Sequence, residues 1–86
     1  MSPSSEVAVV LPAALHARPA GAVVRTAAGF HATVEIRYGE RSASARSALR
    51  LMSLGAAAGT TVTVHAEGDD APAAAAAVAE VLRTTK

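Results

Sequence analysis

The chain has no cysteine and no tryptophan, and only one tyrosine and one phenylalanine. Without cysteine there is no disulfide framework, no thiolate metal site and no thiol nucleophile. The same absence suits a reducing compartment, so the cytoplasm is the expected location. No apolar run approaches the roughly 20 residues of a membrane span. The first residues, Met1-Ser2-Pro3-Ser4-Ser5-Glu6, have neither a basic n-region nor an apolar h-region. A signal peptide is therefore not expected. The net charge of +1 is too small to argue for nucleic acid. His31 and His65 lack metal-like spacing to each other or to carboxylates, so neither a metal nor a cofactor is expected.

What remains is an apolar chain of modest size. Its 86 residues suit one small domain, 1–86, and a hydrophobic content of 51% excludes a disordered tail. Much of that content is alanine, at 23 positions, which predicts a thin core and modest stability. Charge is uneven along the chain. Up to residue 50 there are six arginines against three glutamates. From residue 51 onward, Arg83 and Lys86 face Glu67, Asp69, Asp70 and Glu80. The first part can therefore meet an anion or an acidic surface, although a solvated face with scattered charges also accounts for the imbalance.

The hydrophobic pattern gives an element order of β-α-β-β-α-β-α. Glu6 to Val10 reads as a strand, ended by Pro12. Ala17 to Ala28 puts Ala20, Val23, Val24, Ala27 and Ala28 on one helical face, and Gly29 is placed to stop the helix. Ala32 to Tyr38 and Arg41 to Ala45 alternate, and a turn near Gly39 makes them a hairpin. Tyr38-Gly39 suits a type I′ turn poorly, which leaves the turn type open. Ser47 reads as an N-cap for a short helix, Ala48 to Leu54, ending at Gly55. Thr61 to Ala66 points Val62, Val64 and Ala66 one way, and Thr61, Thr63 and His65 toward solvent. Asp70 reads as the cap of a last helix with Pro72 in its first turn. Ala71, Ala75, Val78 and Leu82 form its buried stripe, and Arg83 and Lys86 suit its C-terminal end. One apolar face per strand predicts an α+β fold, an antiparallel sheet covered by helices on one side.

His16 lies where the first strand-like run gives way to a helix, and Pro19 marks the first turn of that helix. A helix start offers unpaired N–H groups and a partial positive charge, which together favour an anion. Arg18 adds a planar cation suited to phosphate oxygens. Neutral imidazole is a nucleophile. The segment thus sets a nucleophile beside a phosphate cradle. No Asp or Glu lies between Val7 and Val34 to position water for attack.

The stretch Ala14-Leu15-His16-Ala17-Arg18-Pro19-Ala20 resembles the phosphorylation site of HPr, the histidine-containing phosphocarrier of the bacterial phosphoenolpyruvate:sugar phosphotransferase system. Two further signatures of that family match in order and spacing, at Arg46 to Gly55 and at Gly59 to Gly68. The resemblance implies an open-faced β-sandwich, βαββαβα, with strand order 1-4-2-3 and three helices on one face. It implies that His16 accepts a phosphoryl group on Nδ1, the pros nitrogen. Arg18 would assist, and the backbone of Ala17 and Arg18 would bind the phosphate. It further implies enzyme I as donor and sugar-specific A components as acceptors, in a monomeric carrier that is itself no enzyme. The docking surface would comprise Ala20, Ala48, Leu49 and Met52, with Ala48 smaller than the family's usual residue. The family usually has Gly at the position of Ala14, and often Ser or Asn at that of Ala13.

Ser47 is explained as a cap. In some members of the family the matching serine is also phosphorylated by a dedicated kinase, which would add a Ser kinase and phosphatase to the partners. A second functional class is a regulatory binding module of the same fold, such as a nitrogen-branch paralogue, that signals by its phosphorylation state. A stand-alone hydrolase or transferase lacks its metal set, its base and a sizeable cleft.

Overall fold

The computed structural model describes residues 3–86. Met1 and Ser2, which open the segment read for a leader, lie outside the described residues. Successive side chains on a strand point to opposite faces. The alternating segments accordingly form β1 (Ser4–Val10), β2 (Thr33–Tyr38), β3 (Arg41–Ser44) and β4 (Thr61–Glu67). They pair antiparallel in the order β1-β4-β2-β3. The register aligns Val7, Val64, Ile36 and Ala43 in one apolar row across all four strands. The neighbouring row, Glu6, His65, Glu35 and Ser44, lies on the opposite face.

Three helices cover the apolar face: α1 (Ala17–Ala27), α2 (Ala48–Ser53) and α3 (Ala71–Thr84). α3 lies against β1 and β4, and α1 packs between α3 and α2. Among the described residues 23 apolar side chains, 11 of them alanine, make up the hydrophobic core, Pro19 is buried beside them, and no polar or charged residue is buried. Leu11, Ile36, Leu51 and Leu82 are the largest fully buried side chains. Buried Ala74 and Ala79 widen the stripe of α3 beyond the four positions read from the sequence.

Several local expectations are corrected. β1 begins at Ser4 rather than Glu6. Ala32 and Ala45 are buried but fall just outside their strands, although the Ala45 N–H still donates to the Val34 carbonyl at 2.9 Å. Ala28 is exposed, so the apolar face of α1 ends at Ala27. α1 does stop before Gly29, but that glycine has no positive φ. The last turn tightens instead, Gly29 N–H donating to Thr26 and Phe30 N–H to Ala27. α2 closes as expected, with Gly55 at φ 71°, a left-handed conformation that favours glycine.

The hairpin turn is resolved by its register. Tyr38 pairs with Arg41, so the loop residues are Gly39 and Glu40. Gly39 has φ 60° and Glu40 has a negative φ, the signature of a type II′ turn. Tyr38 therefore keeps an ordinary strand conformation.

Asp70 holds the N-cap position of α3 but caps nothing. Its carboxylate instead accepts the His31 N–H at 2.8 Å and the Ala32 N–H at 2.7 Å, tying the start of α3 to the loop before β2. These donors, His31 first, hold its carboxyl below the ordinary carboxylate range against the raising effect of burial. Arg83 lies in the last turn of α3 and pairs with Glu80 at 3.7 Å, whereas Lys86 lies beyond the helix. His65 occupies the outer sheet face as expected, yet its side chain is only 15% exposed. Glu6 lies 3.2 Å from its Nδ1 and Glu67 lies 3.3 Å from its Nε2.

Candidate functional site

The loop between β1 and α1 is held at both ends by the connection between α2 and β4. Leu11 N–H donates to the Thr60 carbonyl at 2.9 Å, and Gly59 N–H donates back to Leu11 at 2.8 Å. Leu15 N–H donates to the Ala56 carbonyl at 3.0 Å, and the Leu15 side chain is buried in the core. His16 follows directly. Its N–H donates to the Ala14 carbonyl at 2.8 Å, a tight local turn. An apolar anchor thus fixes the backbone one residue before the imidazole.

His16 is the N-cap of α1, with extended backbone at φ −87° and ψ −166°. Its side chain is exposed and makes no capping hydrogen bond. The ring therefore does not occupy the donors of the first turn. Ala17 and Arg18 contribute the free N–H groups of that turn, because Pro19 has none and Ala20 N–H donates to the His16 carbonyl at 3.0 Å. No acidic residue lies in the first turn. An anion at the helix start would meet two amides, the positive end of an 11-residue helix and an exposed guanidinium, with no acidic side chain in the first turn. Arg18 Nη1 also donates to the Lys86 carbonyl at 3.4 Å. That contact spans 68 residues and has no signal in the sequence.

Ala14 is not strained by standing where glycine is common. No residue other than glycine has a positive φ among the described residues, so this loop conformation needs no glycine there. Ala13 is half-buried and brings no polar group to the ring.

Ser47 caps α2 as expected, its Oγ accepting the Arg50 N–H at 3.2 Å. The exposed side of α2 carries Leu49 at 73% exposure and Met52 at 37%, while Leu51 and Leu54 turn inward. Leu49 and Met52 are three apart and share a helix face. Ala48 is half-buried against the core. Ala20 is fully buried, which removes it from any surface that a partner could touch. The first turn of α1 points Pro19 and Ala20 into the core, leaving Ala17 and Arg18 outside. Arg46 and Arg50 flank this apolar spot and are exposed. Among the described residues Val10, 63% exposed, is the other large apolar side chain at the surface, but it belongs to the outer face of β1.

The site is the exposed start of α1. The described residues enclose no pocket and contain no group of side chains that could hold a metal ion. No helix among them is long and apolar enough to cross a membrane. Such a surface can carry a small anion on an exposed nitrogen and offer it to a partner that supplies the rest of the chemistry.

Comparison with known proteins gives the same direction. The family model described as the PTS HPr component phosphorylation site matches residues 3–84. A multiphosphoryl transfer protein of Xanthomonas campestris pv. campestris is 46% identical over 68 residues. That match covers 79% of this chain but only 8% of the relative's length. The phosphocarrier protein HPr of Bacillus anthracis superposes with a TM-score of 0.81 at 34% identity, over 95% of this chain and 98% of that one. Crh of Bacillus subtilis, a catabolite repression protein solved as a domain-swapped dimer, has a TM-score of 0.76 and 35% identity. Its match covers 86% of this chain and 85% of that one.

Proposed function

The chain belongs to the PTS HPr family, phosphocarrier proteins rather than catalysts, and on that premise we propose that it carries a phosphoryl group on His16 between components of the phosphotransferase system. The donor is enzyme I charged by phosphoenolpyruvate, and the acceptors are sugar-specific A components, in service of sugar uptake. The carrier acts in the cytoplasm as a monomer, and residues 3–86 form one HPr-like domain.

The observation that carries this reading is His16 at the N-cap of α1 with its side chain free of the helix donors. In the tautomer protonated on Nε2, Nδ1 holds an in-plane lone pair. It attacks phosphorus in line, the N–P bond forms, and the bond to the donor's leaving atom breaks. The amides of Ala17 and Arg18 and the Arg18 guanidinium meet the equatorial oxygens. Without a carboxylate in the first turn to orient water, the phosphoramidate keeps its group until an acceptor arrives. The Leu49 and Met52 surface with its arginines suits partners that present an apolar spot ringed by acidic groups.

Intact-mass analysis after incubation with enzyme I and phosphoenolpyruvate tests the reading. One phosphate should appear on the wild type and none on His16→Ala. Arg18→Ala should still be modified, but more slowly and with an unchanged thermal transition. Phosphate uptake by His16→Ala would overturn the assignment.

The likeness to Crh favours a second reading, in which the phosphorylation state reports to a regulatory partner and no sugar is moved. Complementation of a strain lacking its sugar phosphocarrier separates the two.

A further inference from the structure

The connection that anchors Leu15 is also reached from the β2–β3 hairpin. Arg41 opens β3, directly after the Gly39-Glu40 turn. Its guanidinium Nη1 donates to the Leu54 carbonyl at 3.3 Å. Leu54 is the C-cap of α2, where carbonyl groups lack intrahelical donors and carry partial negative charge. Two residues later the Ala56 carbonyl accepts the Leu15 N–H at 3.0 Å. A continuous path therefore runs from Arg41 through Leu54 and Ala56 to Leu15, the residue preceding His16. Gly55, between the two carbonyls, has φ 71°. A glycine has the widest range of backbone conformations open to it, so this turn depends on its neighbours to keep one geometry.

We propose that Arg41 is a positioning residue for phosphoryl exchange at His16. It fixes the Leu54–Ala56 turn, and that turn fixes the backbone from which the imidazole is presented. The guanidinium touches neither His16 nor the phosphate, so its effect passes through the backbone alone. This inference rests on the carrier role of His16, but the coupling itself is independent of phosphate.

Amide hydrogen exchange of the wild type, Arg41→Met and Arg41→Lys tests that coupling. Met keeps an aliphatic stem and removes the donor, whereas Lys keeps a cation able to reach one carbonyl. Losing one hydrogen bond should speed exchange at Leu15 by about fivefold in Arg41→Met, with Val64 in central β4 unchanged. Arg41→Lys should restore most of the protection. The His16 ring 15N shifts should move in Arg41→Met and return in Arg41→Lys, and the rate of phosphorylation by enzyme I should follow them. Unchanged exchange at Leu15 would overturn the proposal. So would equal acceleration at Leu15 and Val64, which would make Arg41 a general stabiliser. Faster exchange at Leu15 with an unaltered phosphorylation rate would also refute positioning. Failure of the wild type to accept phosphate would instead refute the carrier role and leave the exchange result standing.

Discussion

Replacing Ser47 by alanine and by aspartate should separate its cap from its place on the docking surface, because alanine should lower stability without slowing transfer, and aspartate should slow transfer without lowering stability. The Ser47 Oγ accepts one bond, from Arg50 N–H at 3.2 Å. Alanine leaves that donor to water and should cost about 1 kcal/mol, within a usual range of about 0.5–2. Unfolding entropy is about 2.1 cal/mol/K per residue. For 86 residues this gives about 0.18 kcal/mol/K, so Ser47→Ala should lower the midpoint by about 5 °C. Transfer should stay near wild type, since no charge is added. Aspartate still caps, and no acidic residue in the first turn of α2 opposes it. A carboxylate there adds about 0.3–1 kcal/mol, or about 2–5 °C. The more stable variant should nevertheless be slower. One carboxylate brought within about 4 Å of a partner's costs about 1 kcal/mol even in water, a factor of about five. Screening shortens from about 10 Å at 0.1 M salt to about 3 Å at 1 M, so this defect should shrink as salt rises. Thermal melts by circular dichroism and stopped-flow phosphorylation at two salt concentrations read both effects. An unmoved midpoint in Ser47→Ala would mean the cap bond contributes nothing. A wild-type rate for Ser47→Asp at low salt would show that no acidic partner surface approaches this end of α2.

Two further outcomes follow from the geometry. Leu49→Glu should weaken binding to enzyme I without altering the circular dichroism spectrum, because the Leu49 side chain is largely exposed. Titration calorimetry reads the loss, and a misfolded variant would place Leu49 in the core. Asp70 has a folded carboxyl value below its ordinary 3.8. Its stabilising contribution is therefore complete well above 3.8 and is lost as pH falls through the lower folded value. Asp70→Asn should flatten the acid limb of the stability profile, with one of the two amides losing its acceptor. Urea titrations of both proteins with an unchanged acid limb would refute this.

The sequence carried the element order and the facing of each strand because both depend on local periodicity. Val62, Val64 and Ala66 alternate with Thr61, Thr63 and His65 whatever lies beneath them. Ser47 was legible for the same reason, its partner Arg50 being three residues away. Asp70 was misread because its true partners, His31 and Ala32, lie 39 and 38 residues away. The local cap was the only acceptor role visible in the chain. Ala28, read onto the apolar face of α1 but exposed, shows a subtler limit. Alanine is equally at home on either side of a helix, so its burial is decided by what packs there. The link from Leu15 to Ala56 joins two loops by backbone atoms alone, which no side-chain pattern records.

The prevalence of alanine in the core has a consequence for how this fold responds to change. Alanine has no rotamer freedom to lose on burial. At 11 of the 23 core positions, ordering the side chain therefore costs nothing beyond the backbone. Those methyl groups set the distance between helices and sheet. Truncation, the usual probe of a core, has nothing to remove at these positions except the Cβ itself. Enlargement does the opposite: a larger side chain at such a position must displace its packed neighbours, at about 1–3 kcal/mol per substitution in a close-packed interior. Ala75→Val and Ala79→Val are thus the counterparts here of the leucine deletions that report on wider cores. The interior is bounded on the side of growth, and its spacing is kept by the smallness of what fills it.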